Sequence, residues 1–170
     1  MIIYLILGIA LVISLITDLK ERKILNLVTV PTIFFGLIYY SITQGLNGLL
    51  FSFVGLLVGL GVLIIPFLLG GMGAGDVKLM GAIGALMGAS FVFYSFIYTA
   101  LFGGVIALML IIKKKGFQNS IRSIFFNVIF YRSNLGSMNI TKDKEGSISF
   151  PYGVPIALGT LCSLLWGGFK

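Results

Sequence analysis

Apolar residues along this chain come in long blocks divided by short polar segments, and the block lengths are those of helices that cross a bilayer. A spanning helix needs about 20 mostly apolar residues, within a range of about 17–25. The first block runs from Ile2 to Thr17 and stops at the charged run Asp18-Leu-Lys-Glu-Arg-Lys23. A second runs from Asn26 to Ile42, with Asn26 expected to cap it and Pro31 to kink it near its start. Thr43-Gln-Gly-Leu-Asn-Gly48 reads as a short turn, and a third block covers Leu49 to Leu69. The glycine-rich segment Gly70-Gly-Met-Gly-Ala-Gly-Asp76 follows. Val77 to Ile112 is apolar apart from Lys78, too long for one span and sufficient for two, with a break expected near Gly88-Ala-Ser90. Residues 113–149 form a basic polar loop. Within it, Ile121, Ile124, Phe125, Val128 and Ile129 recur at helical spacing, which predicts an interfacial helix over 117–131. A last span covers Phe150 to Trp166.

The expected architecture is therefore an all-α integral membrane protein, a single membrane-embedded domain over residues 1–170. It is a bundle of about six transmembrane helices plus the interfacial helix. Charge offers a test that did not enter the count. With the N-terminus outside, the inner loops are 18–25, 70–78 and 113–149, and they hold eleven of the 12 Lys and Arg residues, all but Lys170. Cytoplasmic loops carry such an excess of basic residues. Period-3.6 patterning, without alternation over about ten residues, favours helices over a barrel.

Composition narrows the chemistry. The chain is 58% hydrophobic and 10% charged, with mean hydropathy +1.11. Too little polar surface is left to cover a water-soluble globule, so a soluble enzyme or a disordered chain is excluded. The net charge of +7 is assigned to orientation and to anionic lipid at the basic loops, with no nucleic-acid partner. One cysteine, Cys162, and no histidine leave no cysteine zinc site and no Ser-His or Cys-His hydrolase; no metal or cofactor is expected. Lacking a basic n-region and a small-x-small cleavage site before Asp18, the start does not read as a standard signal peptide.

Catalysis must then rest on the five carboxylates. Asp143 and Glu145 alternate with Lys142 and Lys144 and read as solvated, and Glu21 lies in the first basic run. Asp18 and Asp76, 58 residues apart in sequence, fall at the same inner depth in the six-span order. Two carboxylates at one depth can share a proton, because like charges a few ångströms apart do not both ionise cheaply. One can serve as general base on a water while the other, protonated, polarises a carbonyl. The plain alternative leaves Asp18 in a solvated loop. Gly73 and Gly75, leading into Asp76, lack a Cβ and permit close approach of another backbone. The helix dipoles add a further expectation: the shared proton rests on Asp18, at a C-terminal helix end, and the charge on Asp76, at an N-terminal start.

Three ordered motifs carry a family resemblance. Gly71-Met-Gly-Ala-Gly-Asp-Val-Lys-Leu79 resembles the Gly-x-Gly-Asp signature of the type IV prepilin peptidase family. Asp18-Leu-Lys-Glu-Arg-Lys-Ile-Leu-Asn26 is similar to that family's first-aspartate segment, with Leu25 where proline is common. Pro151-Tyr-Gly-Val-Pro155 resembles its C-terminal motif. The resemblance implies a membrane aspartic endopeptidase of the type IV pilus system, located in the cell membrane. Such enzymes cut the short leader of prepilin-like proteins at the cytoplasmic face, usually after glycine. Asp18 and Asp76 match the catalytic aspartates. Gly73, Gly75, Lys78, Asn26 and Tyr152 fall at positions that could line or position the substrate. Without the paired cysteines of the larger bifunctional members, methyl transfer is not expected. Presenilin-like proteases also carry Gly-x-Gly-Asp, but their first aspartate follows a tyrosine within a span, whereas Asp18 follows Thr17 and precedes a basic run.

The competing reading from another class is a small multispan transporter or ion-conducting protein, with Asp18 and Asp76 as a cation or proton site. Repeat-like halves with paired broken helices would mark such a protein, and the chain has no evident internal repeat. A non-catalytic assembly protein using its basic loop is a further alternative.

Overall fold

The computed structural model describes residues 1–68, 71–115 and 152–166, and every regular element among them is an α-helix. They are α1 (Ile2–Glu21), α2 (Asn26–Leu68), α3 (Ala74–Met87), α4 (Ala89–Lys115) and α5 (Gly153–Trp166). Residues 1–102 and 150–170 form one compact unit and 103–149 a second, which holds the end of α4. The interfacial helix expected over 117–131, and the basic loop beyond Lys115, lie outside the described residues.

Among the described residues, three helices are long and apolar enough to cross a membrane: Ile2–Glu21, Asn26–Leu68 and Ala89–Met109. Their outer faces carry exposed large apolar residues such as Ile9, Phe34, Ile38, Leu57, Ile65 and Leu101. Water would penalise so much apolar surface, while lipid does not.

The centre is α3. From Asp76 to Leu86 all of its residues except Lys78 are buried, as expected for a helix enclosed by others. It is enclosed by α2, which folds back on itself. At Gly45 the backbone leaves helical geometry, with φ 61° and ψ −140°, a left-handed φ that glycine adopts without strain. The reversal is legible in the pairing with α3. Asn26, Gly36 and Tyr40 meet Lys78, Ala85 and Leu86 in ascending order, so this half runs parallel to α3. Ser52, Gly55 and Gly59 meet Ala85, Gly84 and Met80 in descending order, so that half runs antiparallel.

Small residues make the approach possible. A Cβ added at Gly55 would run into the Gly84 carbonyl, one at Gly84 into the Gly55 carbonyl, and one at Gly59 into the Met80 carbonyl. In lipid, association rests on such close packing because the tails are as apolar as the helices. The C-terminal end of α3 is closed by side chains of α2. Ser52 Oγ donates to the Ala85 carbonyl at 2.7 Å and the Tyr40 hydroxyl to the Leu86 carbonyl at 3.0 Å. These carbonyls belong to the last turn, where no intrahelical donor follows. The chain then turns at Gly88, φ 85°, under the Phe51 ring.

The break expected at Gly88-Ala-Ser90 is thus present, and the apolar blocks fall on helices. One local expectation is corrected. The turn expected over 43–48 is a reversal at Gly45 alone, because helical hydrogen bonding resumes at once on either side. Non-helical dihedrals occur in α2 only there, and Pro31 lies inside the helix. α3 and α5, at 14 residues each, are shorter than the three crossing helices.

Replacing Gly55 with valine is expected to destabilise the protein by about 1–3 kcal/mol or more, because overpacking forces the two backbones apart. Gly61→Val, where an added Cβ meets nothing within 4 Å, is the comparison and is expected to change little. Thermal unfolding in detergent checks both.

Candidate active site

Asp18 is held in the last turn of α1 by the same periodicity that buries Leu7, Leu11 and Ser14, and is 5% exposed. Its neighbours Lys20, Glu21, Arg22 and Lys23 are exposed. A solvated-loop reading of Asp18 is therefore excluded. Directly after it the helix stops: the Arg22 N–H donates to the Asp18 carbonyl at 2.9 Å, with Arg22 in the left-handed region. That cap turns the basic run away while leaving the carboxylate inside. Asp18 Oδ2 accepts the Gly153 N–H at 2.7 Å, a buried bond spanning 135 residues of sequence.

Asp76 is the third residue of α3 and 7% exposed. Its Oδ2 accepts the Gly73 N–H at 3.0 Å, the N-cap position of its own helix. The first N–H groups of a helix have no intrahelical partner, and the dipole there favours a negative group. The two preceding glycines have distinct tasks. At Gly73 an added Cβ would press on Asp76 Oδ2 at 3.3 Å, whereas at Gly75 it would meet Ile24 Cβ at 2.9 Å and its carbonyl oxygen at 3.1 Å. Gly75 thus admits the buried Ile24, which joins the segment after Asp18 to the turn before Asp76.

Lys78 Nζ donates to Asn26 Oδ1 at 2.9 Å, on an exposed edge beside this turn. Asn26 is consequently not the cap of α2. The Leu25 carbonyl takes the first helical bond from Thr29, and the Asn26 side chain is engaged by Lys78 instead. Tyr152 stands just before α5, half-buried, its carbonyl accepting the Ile156 N–H at 3.2 Å.

α1, α3 and α5 pack pairwise on one another. Asp18 and Asp76 are thus both buried on helices that pack on one another. Two carboxylates brought close together can hold one proton between them. The structure adds a second helix end to the dipole asymmetry expected from the sequence. Asp18 ends α1 but also faces the N-terminus of α5, so both carboxylates sit at a helix N-terminus and each accepts one glycine N–H. Gly153 lies within the motif Pro151–Pro155, but nothing in its spacing points to Asp18; only its lack of a side chain is suggestive.

The model of the type IV leader peptidase family matches residues 5–108 of the chain, which include both aspartates and the glycine turn. No curated protein and no solved structure matches it.

Gly75→Val is expected to destabilise the protein by about 1–3 kcal/mol, since Ile24 is buried and its backbone must shift. Lys78→Met, which removes one exposed hydrogen bond, is expected to cost about 1 kcal/mol or less. Chemical denaturation in detergent distinguishes the two.

Proposed function

Because the chain belongs to the type IV leader peptidase family, we propose that it is a membrane-embedded aspartic endopeptidase that removes the leader of prepilin-like proteins at the cytoplasmic face of the cell membrane. The observation that carries this reading is that Asp18 and Asp76 are both buried, on helices α1 and α3 that pack on each other and on α5. Buried acids in a membrane bundle are expensive to keep and are ordinarily functional.

The chemistry follows from one proton shared by two carboxylates. The ionised member takes a proton from a water as that water attacks the scissile carbonyl carbon. The protonated member donates to the carbonyl oxygen, which stabilises the developing charge. The proton on the first carboxylate then passes to the departing amine as the C–N bond breaks, while the second carboxylate takes a proton back from the diol oxygen that becomes the new carbonyl. Neither carboxylate leaves its helix during this exchange, because Gly73 and Gly153 hold one oxygen of each. An extended segment of substrate passes over the glycine turn at 71–75, where side chains are scarce. Lys78, Asn26 and Tyr152 flank that path as positioning residues. The exposed basic residues Lys20, Arg22 and Lys23 face anionic headgroups.

The same reading assigns six crossings, with α2 contributing two on either side of Gly45, both termini outside, and Asp18 and Asp76 at the inner edge.

With a leader-bearing pilin-like protein as substrate, the purified protein is expected to cut at a single site, read by mass spectrometry. Asp18→Asn and Asp76→Asn are each expected to lower kcat by about 10²–10⁴-fold. Undiminished cleavage in both variants refutes the assignment. For the topology, a cysteine placed at residue 74 on a Cys162→Ser background is expected to react with an impermeant thiol reagent only from the inner face; labelling from outside overturns the orientation.

A further inference from the structure

The contact between Asp18 and Gly153 lies partly outside the region that the family model matches. The match ends at residue 108, and Gly153 begins α5. Three features single out this glycine. Its N–H donates to Asp18 Oδ2 at 2.7 Å in a buried bond. A Cβ at this position would stand 2.7 Å from Asp18 Oδ2, 3.0 Å from Asp18 Cβ and 3.1 Å from Asp18 Cγ, so all three nearest atoms belong to the one side chain. And its φ is outside the left-handed region, which among the described glycines is occupied by Gly45 and Gly88. Residue 153 therefore does not need glycine for its backbone conformation; it needs room for Asp18.

The rest of the first turn of α5 concentrates this role. Pro155 has no N–H to offer, and the Ile156 N–H is taken by the Tyr152 carbonyl. Gly153 gives its own N–H to Asp18, at a helix N-terminus where a carboxylate is favoured.

We propose that Gly153 is a positioning residue for Asp18, and that α5 is thereby a working part of the peptidase centre. This rests on the reading of Asp18 as catalytic. A carboxylate that must both take and return a proton has to be aimed, and displacement of about 1 Å in such a group can cost about 10²-fold in rate. Gly153→Ala keeps the N–H and an accessible backbone while forcing the carboxylate aside.

The test compares the full-length wild type with Gly153→Ala and Gly159→Ala in detergent. Gly159 lies on the same helix, but its added Cβ would meet Thr99 and the Ser95 carbonyl of α4, so that variant reports packing alone. With a leader-bearing pilin-like substrate, Gly153→Ala is expected to lose about 10²-fold in kcat with KM within about twofold. Its Asp18 carboxylate stretch in the infrared, assigned by its loss in Asp18→Asn, is expected to shift. Gly159→Ala is expected to lower the thermal midpoint while keeping kcat per folded molecule and the band position. Wild-type kcat or an unshifted band in Gly153→Ala overturns the proposal. If the wild type itself does not cleave, the peptidase reading fails, and the band still decides whether Gly153 positions Asp18. If Gly153→Ala does not fold, the amide resonance of Gly153 in ¹⁵N-glycine-labelled protein takes its place: it is expected to move upfield in Asp18→Asn, and an unmoved resonance overturns the proposal.

Discussion

Between α2 and α3 the main chains meet with no side chain interposed: Gly55 and Gly84 face each other's carbonyls, Gly59 faces the Met80 carbonyl, and Gly36 faces that of Ala85. This contact sets the position of α3, and everything at its N-terminal end inherits the setting. In an apolar medium no hydrophobic force gathers the helices, so dispersion at close range and a few internal hydrogen bonds must hold them. Ser52 and Tyr40 add those bonds at the C-terminal end, on carbonyls that would otherwise be left without donors. A helix fixed along its length in this way presents its first turn at one place, and Asp76 is in that turn.

The N-terminal end of α3 repeats the device with polar groups. Glycine serves there as a donor and as an absence of bulk together. Gly73 reaches Asp76 and Gly153 reaches Asp18 through main-chain N–H groups, and in both cases the missing Cβ clears the space that the carboxylate occupies. Main-chain donors at helix starts are rigid and carry no titratable group, so they restrain a carboxylate without supplying a competing proton. A lysine or arginine in their place would neutralise one member of the pair outright. The cations nearest in sequence are instead exposed or, for Lys78, paired with Asn26.

The order of the chain and the order of the site differ. Asp18 and Asp76 belong to the segment that carries the family match, whereas the donor that holds Asp18 is 135 residues further on. The transporter reading required paired broken helices in repeat-like halves. Among the described residues α2 reverses at Gly45, and its two halves wrap α3.

Much of this was determined by the sequence alone. Block lengths and the distribution of lysine and arginine specified apolar helices, and the four glycines before Asp76 marked a turn with a carboxylate at its exit. The absence of histidine and the scarcity of acids left Asp18 and Asp76 as the groups able to act. These are local or compositional properties, readable because helix periodicity and span length are set by the backbone itself. The tertiary structure decided what each glycine is for. A glycine in a sequence says that something comes close, but not what: Gly75 admits Ile24, Gly153 admits Asp18, and Gly88 lies under Phe51. It also moved Asn26 from a cap to a partner of Lys78, and it brought a further helix start to Asp18. Those contacts join residues 37 to 135 positions apart or depend on which face of a helix meets its neighbour, and no local pattern encodes the choice.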